Sequence, residues 1–229
     1  MSQVSALREV IEQRFPSAVP SVYQTTPGVA TGLMALDAVL PNGGLPRGRL
    51  SVWEPGVGAG AVLRSACAAA AERGERAAWI DAAGTASSEI PWSGAALVRP
   101  ASPLEALVCA EELVRSGGFA LVVLAGAVSR GSERVRITRC VREGGTALVE
   151  LSTESHMAAI RFQSAVAPGG LRWRCNHLGE PVRLASVTVR VHAAALGWSR
   201  ETDLVLPVHT HALRLSLEPS LVSRRGAAR

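Results

Sequence analysis

Thr31-Gly32-Leu33-Met34-Ala35-Leu36-Asp37, then Gly43-Gly44-Leu45-Pro46-Arg47-Gly48-Arg49, then Glu54-Pro55-Gly56-Val57-Gly58-Ala59-Gly60-Ala61, and finally Ala77-Ala78-Trp79-Ile80-Asp81-Ala82 decide the fold. Leu33, Leu36 and Leu40 share one face of a short helix over residues 31–40. Residues 41–48 are dense in Pro and Gly and read as a turn. Arg49–Trp53 is a short strand, and a glycine-rich loop over 54–60 follows it. The alanine-rich run 62–73 reads as a helix stopped by Gly74, and Ala77–Asp81 is the next strand.

Further along, residues 84–103 are polar and punctuated by Pro and Gly, which predicts a long irregular segment. Leu104, Leu107, Val108, Ala110, Glu111 and Val114 recur in helical register over 104–116. Residues 119–124 are continuously apolar, as a strand buried on both faces requires. A helix is expected over 132–143, a second buried strand over 146–151 and a short helix over 155–164. From Leu171 the pattern turns to alternation, with strands expected at 171–176, 183–192 and 211–217. Strand–helix alternation implies right-handed crossovers and a parallel sheet. The expected fold class is therefore α/β: a mainly parallel central sheet flanked by helices, with antiparallel strands added toward the C-terminus. The chain divides into an N-terminal helix and linker (1–20), one core domain (21–218) and a basic tail (219–229).

The order and spacing of the four opening stretches resemble the RecA family closely. There, Thr-Gly-x-x-x-Leu-Asp and Gly-Gly-Leu-Pro-x-Gly-Arg stretches precede the phosphate loop, and the second core strand ends in Ile-Asp-Ala, here Ile80-Asp81-Ala82. The resemblance implies a RecA-like core. It then fails at each chemical position. A phosphate-loop ATPase sets a lysine ammonium on the β/γ-phosphates, yet all 24 basic residues of this chain are arginine. Gly60 stands at the lysine position and Ala61 at the Mg²⁺-binding hydroxyl. The family's catalytic glutamate position is Ala83, and its metal-site aspartate position is Leu124. What remains is a degenerate loop of Glu54, Gly56, Gly58, Gly60 and Ala61. Its backbone N–H groups could still face an anion, but Glu54 adds opposing charge. Arg64 is the nearest substitute cation, and arginine does not replace lysine at a compact point-charge site. No catalytic residue, nucleotide cofactor or metal is expected.

A RecA-like core of this size without its catalytic residues is similar to the ImuA family. That resemblance implies a non-catalytic accessory protein of a DNA-damage-induced translesion-synthesis complex. It implies binding to ImuB, an inactive relative of Y-family polymerases, with RecA and single-stranded DNA as further candidate partners. Two alternatives stay open: a DNA-binding modulator of RecA filaments, and a cell-division inhibitor of the SulA type.

Composition sets the remaining expectations. Net charge is +5 and the sequence pI is 9.8, which favours acidic partners. No long apolar run or signal-peptide core is present, so a cytoplasmic protein without a membrane span is expected. Cys67, Cys109, Cys140 and Cys175 are far apart and read as buried thiols. Arg136, Arg139 and Arg142 lie at three-residue spacing on the expected 132–143 helix and, with Arg161, are the candidate DNA contacts. The family's second DNA loop would fall at 152–170, with Phe162 as its aromatic. Trp173 is expected to pack on the core with Arg172 and Arg174 pointing out. Candidate partner contacts are Leu7, Val10 and Ile11 of the N-terminal helix and Leu221, Val222, Arg224 and Arg225 of the tail. His209 and His211 share a strand face but have no third ligand nearby. Asp81 and Glu150, at strand ends, read as caps.

Overall fold

The computed structural model describes residues 27–86, 94–154 and 157–208. Among these, one sheet contains β1 (Arg49–Trp53), β2 (Ala77–Asp81), β3 (Ala95–Val98), β4 (Leu121–Ala125), β5 (Ala147–Leu151), β6 (Arg161–Cys175), β7 (Pro181–Ala195) and β8 (Trp198–Pro207). The helices are α1 (Met34–Val39), α2 (Ala59–Glu72), α3 (Pro103–Arg115) and α4 (Gly131–Gly144). Across the sheet the strands run β3-β2-β4-β5-β1-β6-β7-β8. β1 pairs in parallel with both β5 and β6, and β2 with β3 and β4. β7 is antiparallel to both its neighbours, so it alone runs against the rest. This is the α/β, RecA-like arrangement expected from the sequence.

The opening motifs close the chain on itself. Thr31 donates both its N–H and its hydroxyl to Asp37 Oδ1, each at 2.8 Å, which links the ends of Thr-Gly-x-x-x-Leu-Asp around the start of α1. Gly43-Gly44 passes hard against Gly28 and Val29. A Cβ on Gly44 would lie 2.3 Å from the Val29 carbonyl oxygen, and one on Gly28 would lie 2.7 Å from the Gly44 carbonyl carbon. Only a pair of bare backbones fits there, held by reciprocal Val29–Leu45 hydrogen bonds at 2.8 Å. Arg47 then ties this turn to the end of α2, donating to Glu75 Oε1 at 2.5 Å.

α3 starts where its sequence dictates. Ser102 accepts from Glu105 N–H at 3.2 Å, Pro103 occupies the first turn, and Glu105 reaches back to Ala101 N–H at 2.9 Å. The sheet is covered unequally. α1 and α2 pack on one face, over Trp53, Trp79, Val123, Val149, Phe162, Val189, Val191 and Leu204. α3 and α4 pack on the other, over Leu50, Ile80, Val122, Leu124 and Leu148. This second layer stops at β1, so the matching face of β6–β8 has no described helix over it. Cys67 and Cys140 are buried, Cys109 is half-buried and Cys175 is exposed, so the buried reading fails for Cys175. Desolvation pushes the Cys67 thiol up to about 12, which leaves it unreactive.

The expectations for the second half need correction. No helix occupies 157–164. Arg161 begins β6 instead, because Arg161 and Phe162 pair with Val52 and Trp53, and Phe162 stacks on Trp53 with ring centroids 4.6 Å apart. A short edge strand, β3, ends the segment expected to be irregular. β6 and β7 are each longer than expected and meet in a hairpin, and β8 was not foreseen. The expected strand at 211–217 lies outside the described residues, as do His209 and His211. Trp173 does not pack on the core: it is 51 % exposed.

Candidate functional site

The C-terminal edge of β1 carries the loop where a RecA-like ATPase grips phosphate. Gly58 caps α2 in the left-handed region, at φ +84°, and Val62 N–H returns to its carbonyl at 2.9 Å. A Cβ at Gly58 would meet Leu206 Cδ1 at 3.0 Å and Val189 Cγ2 at 3.1 Å, and one at Gly56 would meet the Ser164 carbonyl at 3.0 Å. The loop is therefore pressed against β6, β7 and β8, with an apolar wall beneath it. Glu54 N–H donates to the Phe162 carbonyl at 2.9 Å, and Gln163 donates to Glu54 Oε1 at 2.9 Å.

The side-chain direction at Gly60, the lysine position, leads to Arg64: a Cβ there would sit 3.7 Å from Arg64 Nη1. Among the described residues Arg64 has no ion pair or hydrogen bond. Burial, slightly offset by the Cys67 thiol, lowers its pKa from the usual arginine value. It remains a cation at any working pH. Ala61 is half-buried and brings no hydroxyl. Ala83 is exposed and brings no carboxylate.

Leu124 requires a change of position. It is fully buried among the side chains under α3 and α4, on the sheet face away from α2. A side chain reaching the phosphate loop from the end of β4 must come from Ala125, which packs on the α2 face. Neither residue is an acid, so the loss stands at the corrected position.

The acids at the strand ends are engaged. Asp81 accepts from Thr85 N–H at 3.1 Å, Thr85 hydroxyl at 3.3 Å and Ala86 N–H at 2.7 Å, and so shapes the loop after β2. Glu150 is fully buried on the α4 side of β5. It accepts from the Ser129 hydroxyl and from Arg134 Nη2 at 3.0 Å. Burial raises its pKa, and the Ser129 hydrogen bond and the Arg134 charge pull the other way. Arg134 Nε is buried without a hydrogen-bond acceptor. This is an anchor between α4 and the sheet. No signal in the sequence separates Arg134 from its exposed neighbours, since its partner lies 16 residues away on another element. Among the described residues no group of three or more His, Cys, Asp or Glu is close enough to hold a metal ion.

The candidate DNA contacts do not form one patch. Arg136 donates to Glu111 at 2.6 Å across the α3–α4 contact, and Glu111 also pairs with Arg115. Arg139 pairs with Glu143 at 2.8 Å along its own helix. Arg142 is exposed and lies close enough to Arg49 to lower its pKa, after the larger effect of burial. Arg161 is exposed at the start of β6. Phe162 is buried against Trp53 and cannot stack on a base. Leu7, Val10, Ile11, Leu221, Val222, Arg224 and Arg225 lie outside the described residues. Sequence reasoning placed antiparallel strands at 171–176 and 183–192 but missed that the end of this β6–β7 hairpin is exposed, with Trp173, Arg172, Arg174 and Arg183 all in water.

Among the described residues no helix is long and apolar enough to cross a membrane. No protein-family model matches the sequence, and no curated protein matches it.

Proposed function

We propose that this chain is a non-catalytic, RecA-like accessory protein of a DNA-damage-induced translesion-synthesis complex. It acts by binding an ImuB-like relative of the Y-family polymerases, with RecA as a second partner. One observation carries the reading: the framework around the phosphate loop is intact while the loop's chemistry is gone. The Thr31–Asp37 closure and the Gly28–Gly44 crossing are both in place. Gly60, Ala61, Ala83 and Ala125 bring no charge, hydroxyl or carboxylate. A fold retained without its reaction fits a protein whose work is contact. Nucleotide has no part in that contact.

The test is co-purification of the full chain with the ImuB-like protein, read by size-exclusion chromatography with light scattering, in EDTA and without nucleotide. A stoichiometric complex is expected, and a chain ending at Pro219 should lose it if Leu221, Val222, Arg224 and Arg225 form the contact. A complex that forms only with Mg·ATP, or ATP turnover by the chain in the presence of single-stranded DNA, overturns the proposal.

A further inference from the structure

β6 and β7 outrun the rest of the sheet. β1 flanks β6 only at Arg161 and Phe162, and among the described residues β8 follows β7 as far as the Val208 N–H on the Ala185 carbonyl. Among the described residues the segment from Arg172 to Leu184 is therefore a two-stranded ribbon with one edge of β6 free. Its pairing, Arg172↔Ser186, Trp173↔Leu184, Arg174↔Arg183 and Cys175↔Pro181, sorts its side chains onto two faces. Alternation along β6 and the cross-strand pairs put Trp173, Leu184 and Cys175 on one side and Arg172, Arg174 and Arg183 on the other, with register shifts in β7 between the partners of Arg172 and Trp173 and of Arg174 and Cys175.

Three further observations single this ribbon out. Trp173 is 51 % exposed, Leu178 70 % and Val182 66 %, so the end of the ribbon is apolar and wet. Among the described residues Arg172, Arg174 and Arg183 have no ion pair or hydrogen bond, whereas Arg136, Arg139 and Arg190 all have carboxylate partners. The tip is built rather than loose. Asn176 Oδ1 accepts from Leu178 N–H at 2.9 Å and Glu180 N–H at 3.0 Å, its Nδ2 donates to Glu180 at 2.8 Å, and Gly179 turns at φ +82°.

We propose that this ribbon binds single-stranded nucleic acid, with Trp173 as a base-stacking platform and Arg172, Arg174 and Arg183 as phosphate contacts. The order along the free β6 edge is charge, aromatic, charge. A flexible strand crossing that edge meets arginines above it and an indole below it. An acidic protein surface docked on the arginine face would leave the indole of Trp173 uncovered. Stacking platforms interleaved with cations are how proteins hold single strands without reading sequence. The inference does not rest on the translesion reading: the two fail separately, one in a DNA titration and the other in a co-purification.

The experiment is fluorescence anisotropy of a labelled oligothymidylate titrated with the full chain over a salt series. Trp173→Ala should weaken binding roughly 5- to 150-fold, and Trp173→Phe should recover most of it. Replacing Arg172, Arg174 and Arg183 together with Ala should reduce the slope of log affinity on log salt by about 2. The same triple replacement at Arg136, Arg139 and Arg142 should leave the slope near that of the parent. An unchanged thermal midpoint in each variant confirms that the fold is kept. A second measurement uses the unaltered chain. Cys175 is exposed two residues from Trp173, so oligothymidylate should slow its alkylation and poly-glutamate should not. No binding at low salt, binding indifferent to the ribbon variants, or equal protection by poly-glutamate overturns the proposal, the last in favour of an acidic protein partner.

Discussion

β1, β2, β4 and β5 are buried on both faces, whereas among the described residues β6, β7 and β8 are covered on one face and β6 and β7 run on into a two-stranded ribbon. In the first region every buried charge among the described residues has a structural task. Asp81 shapes a loop, and Glu150 and Arg134 hold α4 to the sheet. In the second region Arg190 pairs with Asp203, but among the described residues Arg172, Arg174 and Arg183 have no carboxylate partner and stand beside an exposed indole. The parallel region occupies the place of a nucleotide engine but spends its polar groups on architecture. The antiparallel region keeps the arginines at the end of its hairpin available. A partner is better sought on the second than on the first.

The largest expected effect tests the first region. Arg134→Met leaves Glu150 fully buried without its counter-charge, and should cost about 3–5 kcal/mol in urea unfolding. Adding Glu150→Leu should recover most of that loss, because an apolar pair of similar volume is often no worse than a buried ion pair. The sign of the pH dependence follows from the raised pKa of Glu150. Folded protein holds that proton more tightly than unfolded protein, so the carboxyl's own titration contributes stability below its unfolded pKa. That contribution is lost as pH rises through the folded value. The stability difference between the parent and Glu150→Gln should therefore fall as pH climbs through this range. A difference that grows with pH would mean that the Arg134 charge outweighs burial.

The contrast between the two regions sharpens at their aromatics. Phe162→Ala opens a cavity beside Trp53 and should cost about 3–5 kcal/mol. Trp173→Ala removes a larger ring and should stay within about 0.5 kcal/mol of the parent. Equal losses in thermal or urea unfolding would show that the ribbon is packed in solution and would erase the distinction.

How much of this was legible follows the same division. β1 and β2 sit at their expected bounds because each is a short apolar run between glycine-rich turns, and the pattern needs no tertiary information. α2, α3 and α4 follow from helical spacing, with Ser102, Pro103 and Glu105 marking where α3 begins. The second region was harder to read. Residues 157–164 have no clear period, and what makes Arg161 and Phe162 a strand is pairing with Val52 and Trp53, far away in sequence. β8 alternates Thr202, Leu204 and Leu206 on its inner face, a signal hidden by Arg200 and Glu201 before them and Asp203 among them. Trp173 between two arginines reads as an inward indole with the arginines out, and that reading fails. What decides it is that, among the described residues, neither β1 nor β8 reaches alongside it. For the candidate site, the losses at Gly60, Ala61 and Ala83 were visible in the sequence. The substitution of Ala125 for Leu124 needed the sheet's facing, and the ribbon needed the lengths of β1 and β8.

The smallest expected effect is an absence. Gly60→Lys with Ala61→Thr restores the letters of a phosphate loop, and it should restore no ATP turnover, measured with single-stranded DNA and Mg²⁺ present. A lysine at position 60 starts its side chain 3.7 Å from Arg64 Nη1, so two cations would share one half-buried space. Threonine at 61 would offer a hydroxyl to a metal that the positions of Ala83 and Ala125 give no carboxylate to hold. Phosphoryl transfer works through positioned charge, metal and water together, and residues that act as a unit lose nearly all their effect when any one is missing. Turnover in this variant would mean that acids elsewhere, Glu54 or Asp81, can be redirected to the loop, and the engaged region would then be less committed than its hydrogen bonds imply. Silence in the variant, with the ribbon still binding oligothymidylate, would place the two regions on opposite sides of one line: architecture where the ATPase chemistry would be, and contact at the end of the β6–β7 hairpin.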